Sequence, residues 1–382
     1  MEREGIIKKT QKVVVKIGSS VLTTDEGRID RARIENLTEN LWDVIESGRR
    51  VVLVSSGAIA IGMDRLGFRG RVDGIPDKQA IAAIGQPHLM ALYDAYFREK
   101  GIQISQILLT RDDLDHRRRY LNARDTIDSL FKFGALPIIN ENDTVVVEEI
   151  KVGDNDNLSA LVAGLIQADL LVILSDMEGL FDKDPKVYTD ARLIPKVDEV
   201  DEKIMCAAGG SFSPTGIGGM TVKLEAIRKA TAFGIPTILA SGKRKDVLRE
   251  IFSGKAVGTL FLPQRDPLSC KKQWIAYGVR SSGTLYLDGG AVKALLYGGK
   301  SLLPSGVVRV SGSFERGEGV DVRNLSEDLI AKGLVNYSAR EIDRIKGKRS
   351  TQIKEILGYT YGDELIHRDH LVVLTPTERS GV

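Results

Sequence analysis

Residues 136–174 read LPIINENDTVVVEEIKVGDNDNLSALVAGLIQADLLVIL. The apolar run Leu136–Ile139 ends in a polar group, Asn140, Asn142 and Asp143. A hairpin-like arm, Val145–Lys151, leads to a second group, Asp154, Asn155, Asp156 and Asn157, which opens a helical pattern over Asn157–Gln167. A further apolar run, Leu170–Leu174, closes the unit. Runs of Ile, Leu and Val without polar alternation suit strands covered on both faces, and the strand–helix–strand order suits a parallel pair. Asn and Asp at a strand end and a helix start do little for a core. They can hold ammonium groups, hydroxyls, phosphates or metal ions, so their density points to a polar small-molecule site.

Working outward, the same alternation recurs. Strand patterns lie at Val13–Ile17, Val51–Val54, Ile104–Leu109 and Thr237–Leu239, and helical patterns at Arg31–Glu46, Lys78–Lys100, Tyr120–Phe133 and Met220–Phe233. This predicts an α/β domain over residues 1–262, with a mostly parallel sheet between helical layers. In such sheets ligands bind beyond the carboxyl ends of the strands. The polar groups Gly18–Ser20, Ser55–Ala58, Asn140–Asp143 and Ser175–Gly179 all follow strands, so they converge on one rim. Residues 263–273, with Pro267 and mixed charges, read as a linker. Beyond it, Gly-punctuated short β runs predict a small β-rich, barrel-like module over 274–352. Residues 353–382 read as a tail, with a short helix over Gln352–Leu357 and a frayed end, TPTERSGV.

The totals exclude several classes. At 382 residues the chain suits two or three domains. Its 42% hydrophobic and 28% charged residues are those of a soluble globular protein. A net charge of +2 gives no global pull toward nucleic acid or membrane. Cys206 and Cys270 form no disulfide or metal spacing and suit a reduced compartment. The N-terminus carries charges where a signal peptide needs an apolar run, and no stretch reaches the roughly 20 apolar residues of a membrane span. The expected location is the cytoplasm, with no membrane partner.

Several motifs carry chemistry. Lys16-Ile17-Gly18 ends the first strand, where a lysine can neutralise phosphate oxygens and glycine lets a phosphate approach the backbone. Alone it also fits an ordinary strand end. Ser55-Ser56-Gly57-Ala58 offers a hydroxyl and free N–H groups at a helix start, as a simple N-cap would. Asp143 suits a substrate ammonium, and a helix cap explains one Asx residue of Asp154–Asn157 but not four. An EF-hand loop counted from Asp154 needs Gly and Glu where Ser159 and Leu165 stand, which excludes calcium. Ser175-Asp176 could border a nucleotide. Thr215–Lys223, TGIGGMTVK, is a Gly-rich loop entering a helix with a lysine in the first turn, suited to a di- or triphosphate. It is neither a Walker A loop nor a dinucleotide fingerprint. His367 and His370 read as a solvated pair rather than metal ligands, and Arg344, Lys346, Lys348 and Arg349 as a solvated face rather than an RNA contact. Two lysines, two glycine loops and an acidic group imply phosphoryl transfer. A carboxylate acceptor needs no general base, which fits a rim poor in His and Cys.

The motifs KIGSSVLT, VSSGAIAIG, LLTRDDL, RYLNARDT, PIINENDTV, EIKVGDNDNLSA, LSDMEGLF and GIGGMTVKLEA resemble, in order, those of the glutamate 5-kinases of the amino acid kinase family. The segment SGTLYLDGGAVKALLYGGKSLLPSGVVRVSGSFERGE resembles a PUA domain. The resemblance covers nearly the whole chain. It implies ATP-dependent phosphorylation of the γ-carboxylate of L-glutamate, the first step of proline biosynthesis, with Mg²⁺ as metal, proline as feedback inhibitor and a homo-oligomeric assembly. By the same resemblance Lys16 and Lys223 neutralise the phosphates, and Asp156 holds those lysines. Ser56, Asp143 and Asn155 bind glutamate. Ser175, Asp176 and the loop Ile217, Gly218, Gly219, Met220, Thr221, Val222 and Lys223 contact the nucleotide, and no direct protein ligand of the metal is assigned. The rival readings are a kinase of the same fold acting on N-acetylglutamate, aspartate or carbamate, and an RNA-binding protein acting through the PUA-like module.

Overall fold

The structure, a computed structural model, describes residues 2–68, 70, 72, 74–146, 155–185, 187–202, 204–205, 219–263, 275 and 281–374. The chain forms two compact units, Met1–Asp115 with Asn122–Arg265, and His116–Leu121 with Asp266–Val382.

The first unit is built on eight strands: β1 (Lys12–Ile17), β2 (Arg50–Ser55), β3 (Ile104–Leu109), β4 (Leu136–Glu141), β5 (Leu170–Ser175), β6 (Lys196–Val197), β7 (Thr237–Ser241) and β8 (Thr259–Phe261). Their order is β3-β4-β2-β1-β5-β7-β8-β6. All pairings are parallel except β7 with β8. The helices that position the site are α1 (Arg31–Glu46), α2 (Ala58–Arg65), α3 (Ile75–Glu99), α4 (Arg117–Lys132), α5 (Asn155–Ile166) and α6 (Gly219–Ala232).

Period-two alternation sorts the strand residues onto two faces. Val13, Val15, Ile17, Val51, Leu53, Leu136, Ile138, Leu170, Val172 and Leu174 form one core with Ile34, Leu37 and Leu41 of α1 and Leu89, Tyr93 and Phe97 of α3. The opposite face, with Val14 and Lys16, is covered by α5, which packs on β1, β2, β4 and β5 and has α6 beside it. α2 lies against α3 at van der Waals limit. A Cβ on Gly85 would stand 1.8 Å from the Ala58 carbonyl oxygen, and one on Gly62 would stand 2.1 Å from that of Ile81. Only glycine permits this approach.

The second unit holds a small, mostly antiparallel sheet. Its strands are β9 (Ser281–Leu287), β10 (Val307–Gly312), β11 (Gly319–Asn324), β12 (Leu329–Leu334) and β13 (Leu371–Val373), ordered β10-β9-β11-β12-β13. α7 (Gly289–Gly298), α8 (Ala339–Ile345) and α9 (Ile353–Leu357) complete it. The tail predicted over 353–382 is corrected as far as Leu374. Ile353, Leu365, Ile366 and Leu371 are buried in this unit's core, and β13 extends the sheet through β12. A run of polar residues between these apolar anchors hid them. The predicted linker 263–273 and the last residues, TPTERSGV, lie almost wholly outside the described residues.

Candidate active site

Lys16 sits one residue before the end of β1. The alternation that sends Val13, Val15 and Ile17 to one core turns Lys16 toward α5 on the other face. That helix begins at Asn155, two residues earlier than its apolar pattern suggests, so Asp156 falls in its first turn. The Lys16 Nζ lies 2.5 Å from Asp156 Oδ1. Beside α5, α6 begins at Gly219 and brings Lys223 up one turn later. Its Nζ donates to Asp156 Oδ2 at 3.0 Å. One carboxylate thus holds two ammonium groups drawn from distant parts of the chain. The three are inaccessible or nearly so, with side-chain exposures of 5% for Lys16, 3% for Asp156 and 15% for Lys223.

The electrostatics follow from burial. Loss of solvent pushes the Asp156 carboxyl up, but the charges of Lys16 and Lys223 outweigh it and hold the group below its ordinary value. Burial pulls the Lys16 ammonium down. Asp156 opposes that, the like charge of Lys223 adds to it, and Asp176 contributes a weaker attraction. The cluster carries one net positive charge, and it lies by the N-terminal turns of α5 and α6, where helix dipoles also favour anions. Burying charge is expensive unless it is matched, and a phosphate arriving here supplies the match. The predicted loop is placed only in part. Gly219, Met220, Thr221, Val222 and Lys223 form the first turn of α6, whereas Ile217 and Gly218 lie outside the described residues. Ser175 ends β5, and its Oγ accepts from the Met177 N–H at 3.0 Å.

A second cluster lies at the ends of β2 and β4. Asn155 Nδ2 donates to Ser56 Oγ and to Asn140 Oδ1, both at 2.9 Å. Asn140 Oδ1 also accepts from the Glu141 N–H at 2.9 Å, and its Nδ2 donates to Gln86 Oε1 at 2.8 Å. Asn155 Oδ1 is buried and has no partner among the described residues. Gly57, at φ 114°, makes the turn from β2 into α2. Asp143 follows β4, half-buried, and among the described residues no cation pairs with it. Burial raises its pKa to about 6.

The structure therefore joins Lys16, Lys223 and Asp156 directly, and Ser56 to Asn155. It gives Asp143 and Ser175 no direct bond to either cluster. Sequence reasoning passed over Gln86 and Tyr93, whose OH lies 2.8 Å from Ser55 Oγ. Gln86 had a signal, being a polar residue within the buried stripe Ile81, Ala82, Gly85, Leu89, Tyr93 and Phe97 of α3. The arm Val145–Lys151 is described only at Val145 and Val146. Elsewhere, Lys346 pairs with Asp343 and Arg344 caps the Ile356 carbonyl, so half of the basic cluster has local partners. His367 caps, and His370 ends, a single 3₁₀ turn before β13, and no group of three metal-binding side chains occurs among the described residues. No described helix is long and apolar enough to cross a membrane.

Residues 11–241 match the amino acid kinase family, and residues 283–357 match the PUA domain. The glutamate 5-kinase of Geobacter sulfurreducens is 52% identical over 372 residues, covering 97% of this chain and 100% of that protein. The chain belongs to the glutamate 5-kinases of the amino acid kinase family. Those of Geobacter metallireducens and Pelobacter propionicus, at 53% and 51% identity, are matched over their full lengths. The glutamate 5-kinase resemblance of the rim motifs, and the α/β domain followed by a small β domain, are thus borne out.

Proposed function

We propose that the chain transfers the γ-phosphoryl group of ATP to the γ-carboxylate of L-glutamate, the first step of proline biosynthesis. A γ-carboxylate oxygen attacks the γ-phosphorus, the bond to the β,γ-bridging oxygen breaks, and ADP leaves with that oxygen's electron pair. The observation that carries this reading is the pairing of two unlike clusters on one rim. One is a buried, net-positive lysine pair held by Asp156. The other is the group of Ser56, Asn140 and Asn155 at the ends of β2 and β4, with a half-buried Asp143 after β4 that no cation among the described residues pairs. The first suits phosphates, and the second suits an α-ammonium.

In this reading Lys16 and Lys223 neutralise charge on the transferred group, and Asp156 fixes their positions. Ser56, Asn155 and Asp143 hold glutamate. Ser175, Asp176 and the segment from Ile217 to Lys223 border the nucleotide. Both oxygens of Asp156 face ammonium groups, so the donor set fits a Mg²⁺ that arrives on the phosphates of ATP rather than one caged by protein. When bound it would supply further charge neutralisation. Proline, an amino acid with a cationic nitrogen, would compete at Asp143, and the enzyme would act as a homo-oligomer in the cytoplasm. The catalytic domain spans 1–262 and the PUA-like module 274–352, with the sheet continued by residues to 374.

Trapping the acyl phosphate with hydroxylamine tests the reading. Hydroxamate should form with L-glutamate, ATP and Mg²⁺, and not with N-acetylglutamate, whose acylated nitrogen offers Asp143 no cation. Equal yields from the two substrates would contradict the role of Asp143. No glutamate-dependent hydroxamate would remove the kinase reading altogether.

A further inference from the structure

We infer that Gln86, 9% exposed on α3, sets the direction in which Asn155 offers its amide to the substrate and is thereby a positioning residue for glutamate. The inference rests on the proposed glutamate site.

The argument begins at a backbone N–H. The Glu141 N–H can only donate, so the Asn140 atom 2.9 Å from it is the oxygen Oδ1. The other Asn140 atom is then Nδ2, and its partner at Gln86 is an acceptor, Oε1. The same Oδ1 takes a second hydrogen bond from Asn155, so the Asn155 atom facing it is Nδ2. That Nδ2 also donates to Ser56 Oγ. Both of its hydrogens are used, and Asn155 is left with a buried, unpartnered Oδ1. One backbone group therefore fixes three side-chain amides in series. The open end of the chain is an acceptor without a partner among the described residues, which a donor from the ligand, such as an ammonium, would satisfy.

Gln86 closes the other end. Asn140 lies on the same face of β4 as Leu136 and Ile138, the face α3 covers. The close seat of Gly85 against the Ala58 carbonyl allows α3 no slack. If residue 86 could not accept, Asn140 Nδ2 would be a buried donor without a partner. Its amide could find another acceptor only by turning away from the Glu141 N–H or from Asn155. Either movement loosens the Asn155 side chain, whereas the carboxylate of the next residue, Asp156, stays held by its own contacts with Lys16 and Lys223.

Steady-state kinetics of the full chain decide the matter. Gln86→Met conserves side-chain length and removes the acceptor. It should raise the KM for glutamate by about tenfold, the equivalent of one hydrogen bond lost in binding, with the KM for ATP and kcat within about twofold of the parent. Gln86→Glu keeps an acceptor and should hold the glutamate KM within about threefold. An unchanged glutamate KM in folded Gln86→Met, or a parallel rise in the KM for ATP, overturns the inference. If Gln86→Met does not fold, Gln86→Glu decides alone, and a tenfold rise in its glutamate KM also overturns it. A parent enzyme with no glutamate-dependent turnover defeats the proposed function itself, a result distinct from either of these.

Discussion

At the level of single residues, Asp156 has the most to lose. Among the described residues it is the one carboxylate in direct contact with two buried or nearly buried ammonium groups, and breaking a buried pair from one side costs about 3–5 kcal/mol because the remaining charge stays unmatched. Asp156→Ala should therefore both unfold at lower temperature and lose turnover, as differential scanning calorimetry and an ADP-release assay would record. Asp156 titrates below its ordinary value in the fold, so its stabilising contribution is present above pH 4 and disappears as pH falls through the lowered value. If Lys223 neutralises the transferred group as proposed, Lys223→Ala should reduce kcat by about 100- to 1,000-fold, the scale of losing one transition-state donor. Near-normal turnover in that variant would refute its assigned role. Asp143 has the opposite linkage. Its pKa is raised to about 6, so its ionised form weakens the unliganded fold above that pH and the penalty fades as pH falls through it. Asp143→Asn should consequently melt no lower than the parent at pH 8 while binding glutamate more weakly. Such a trade of stability for a binding site is what the proposed role of Asp143 as a substrate counter-ion entails.

At the level of elements, the parallel strands were legible because a strand buried on both faces needs an unbroken apolar run, and those runs end within two residues of the observed bounds. α1 spans Arg31–Glu46 in sequence pattern and structure alike, its start marked by the Asp30 cap that accepts from the Arg33 N–H. The sequence marks α2 only as a helix start after Ser55–Ala58, without bounds. It is short, contains Gly62, and has no side-chain cap. Its stability comes from the glycine-to-backbone seat on α3, a long-range contact that local pattern does not encode. α7 was read as part of a β run because Gly289 and Gly290 open it, although Asp288 caps it by accepting from the Ala291 N–H at 2.7 Å. β6 and β8 are too short to give an alternating signal. The α2–α3 seat yields its own expectation. In Gly85→Ala the new methyl would meet the Ala58 carbonyl oxygen at 1.8 Å, which is main chain and cannot swing aside. Overpacking of this kind costs about 1–3 kcal/mol. A melting-temperature drop of several degrees should follow, together with a raised glutamate KM, since α3 carries Gln86.

At the scale of the whole molecule, the order of motifs in the sequence already located the rim, because four polar groups follow strands and parallel strands share one carboxyl edge. The pairings across that rim were not legible from spacing. Lys16 lies 140 residues before Asp156, and which of its faces a strand turns to which helix depends on the sheet order. That order also separates two tasks. In the proposed function, the lysines that Asp156 holds between α5 and α6 gather positive charge for phosphates, and the end of β4, reached from α3 and from Asn155 at the start of α5, gathers amides and a carboxylate for an amino acid. A proline inhibitor competing for the second region should raise the apparent KM for glutamate and leave the KM for ATP unchanged. Inhibition that high glutamate fails to relieve would place proline elsewhere.

The division of labour across the rim is tested most directly by the pH profile of kcat/KM for glutamate in the parent and in Asp143→Asn. With Asp143 as the ammonium's counter-ion, the parent profile falls as pH drops through about 6, while the variant is low and flat over the same range. Coincident profiles of equal height would show that the carboxylate of Asp143 does not hold the substrate, and the account of this site would be wrong.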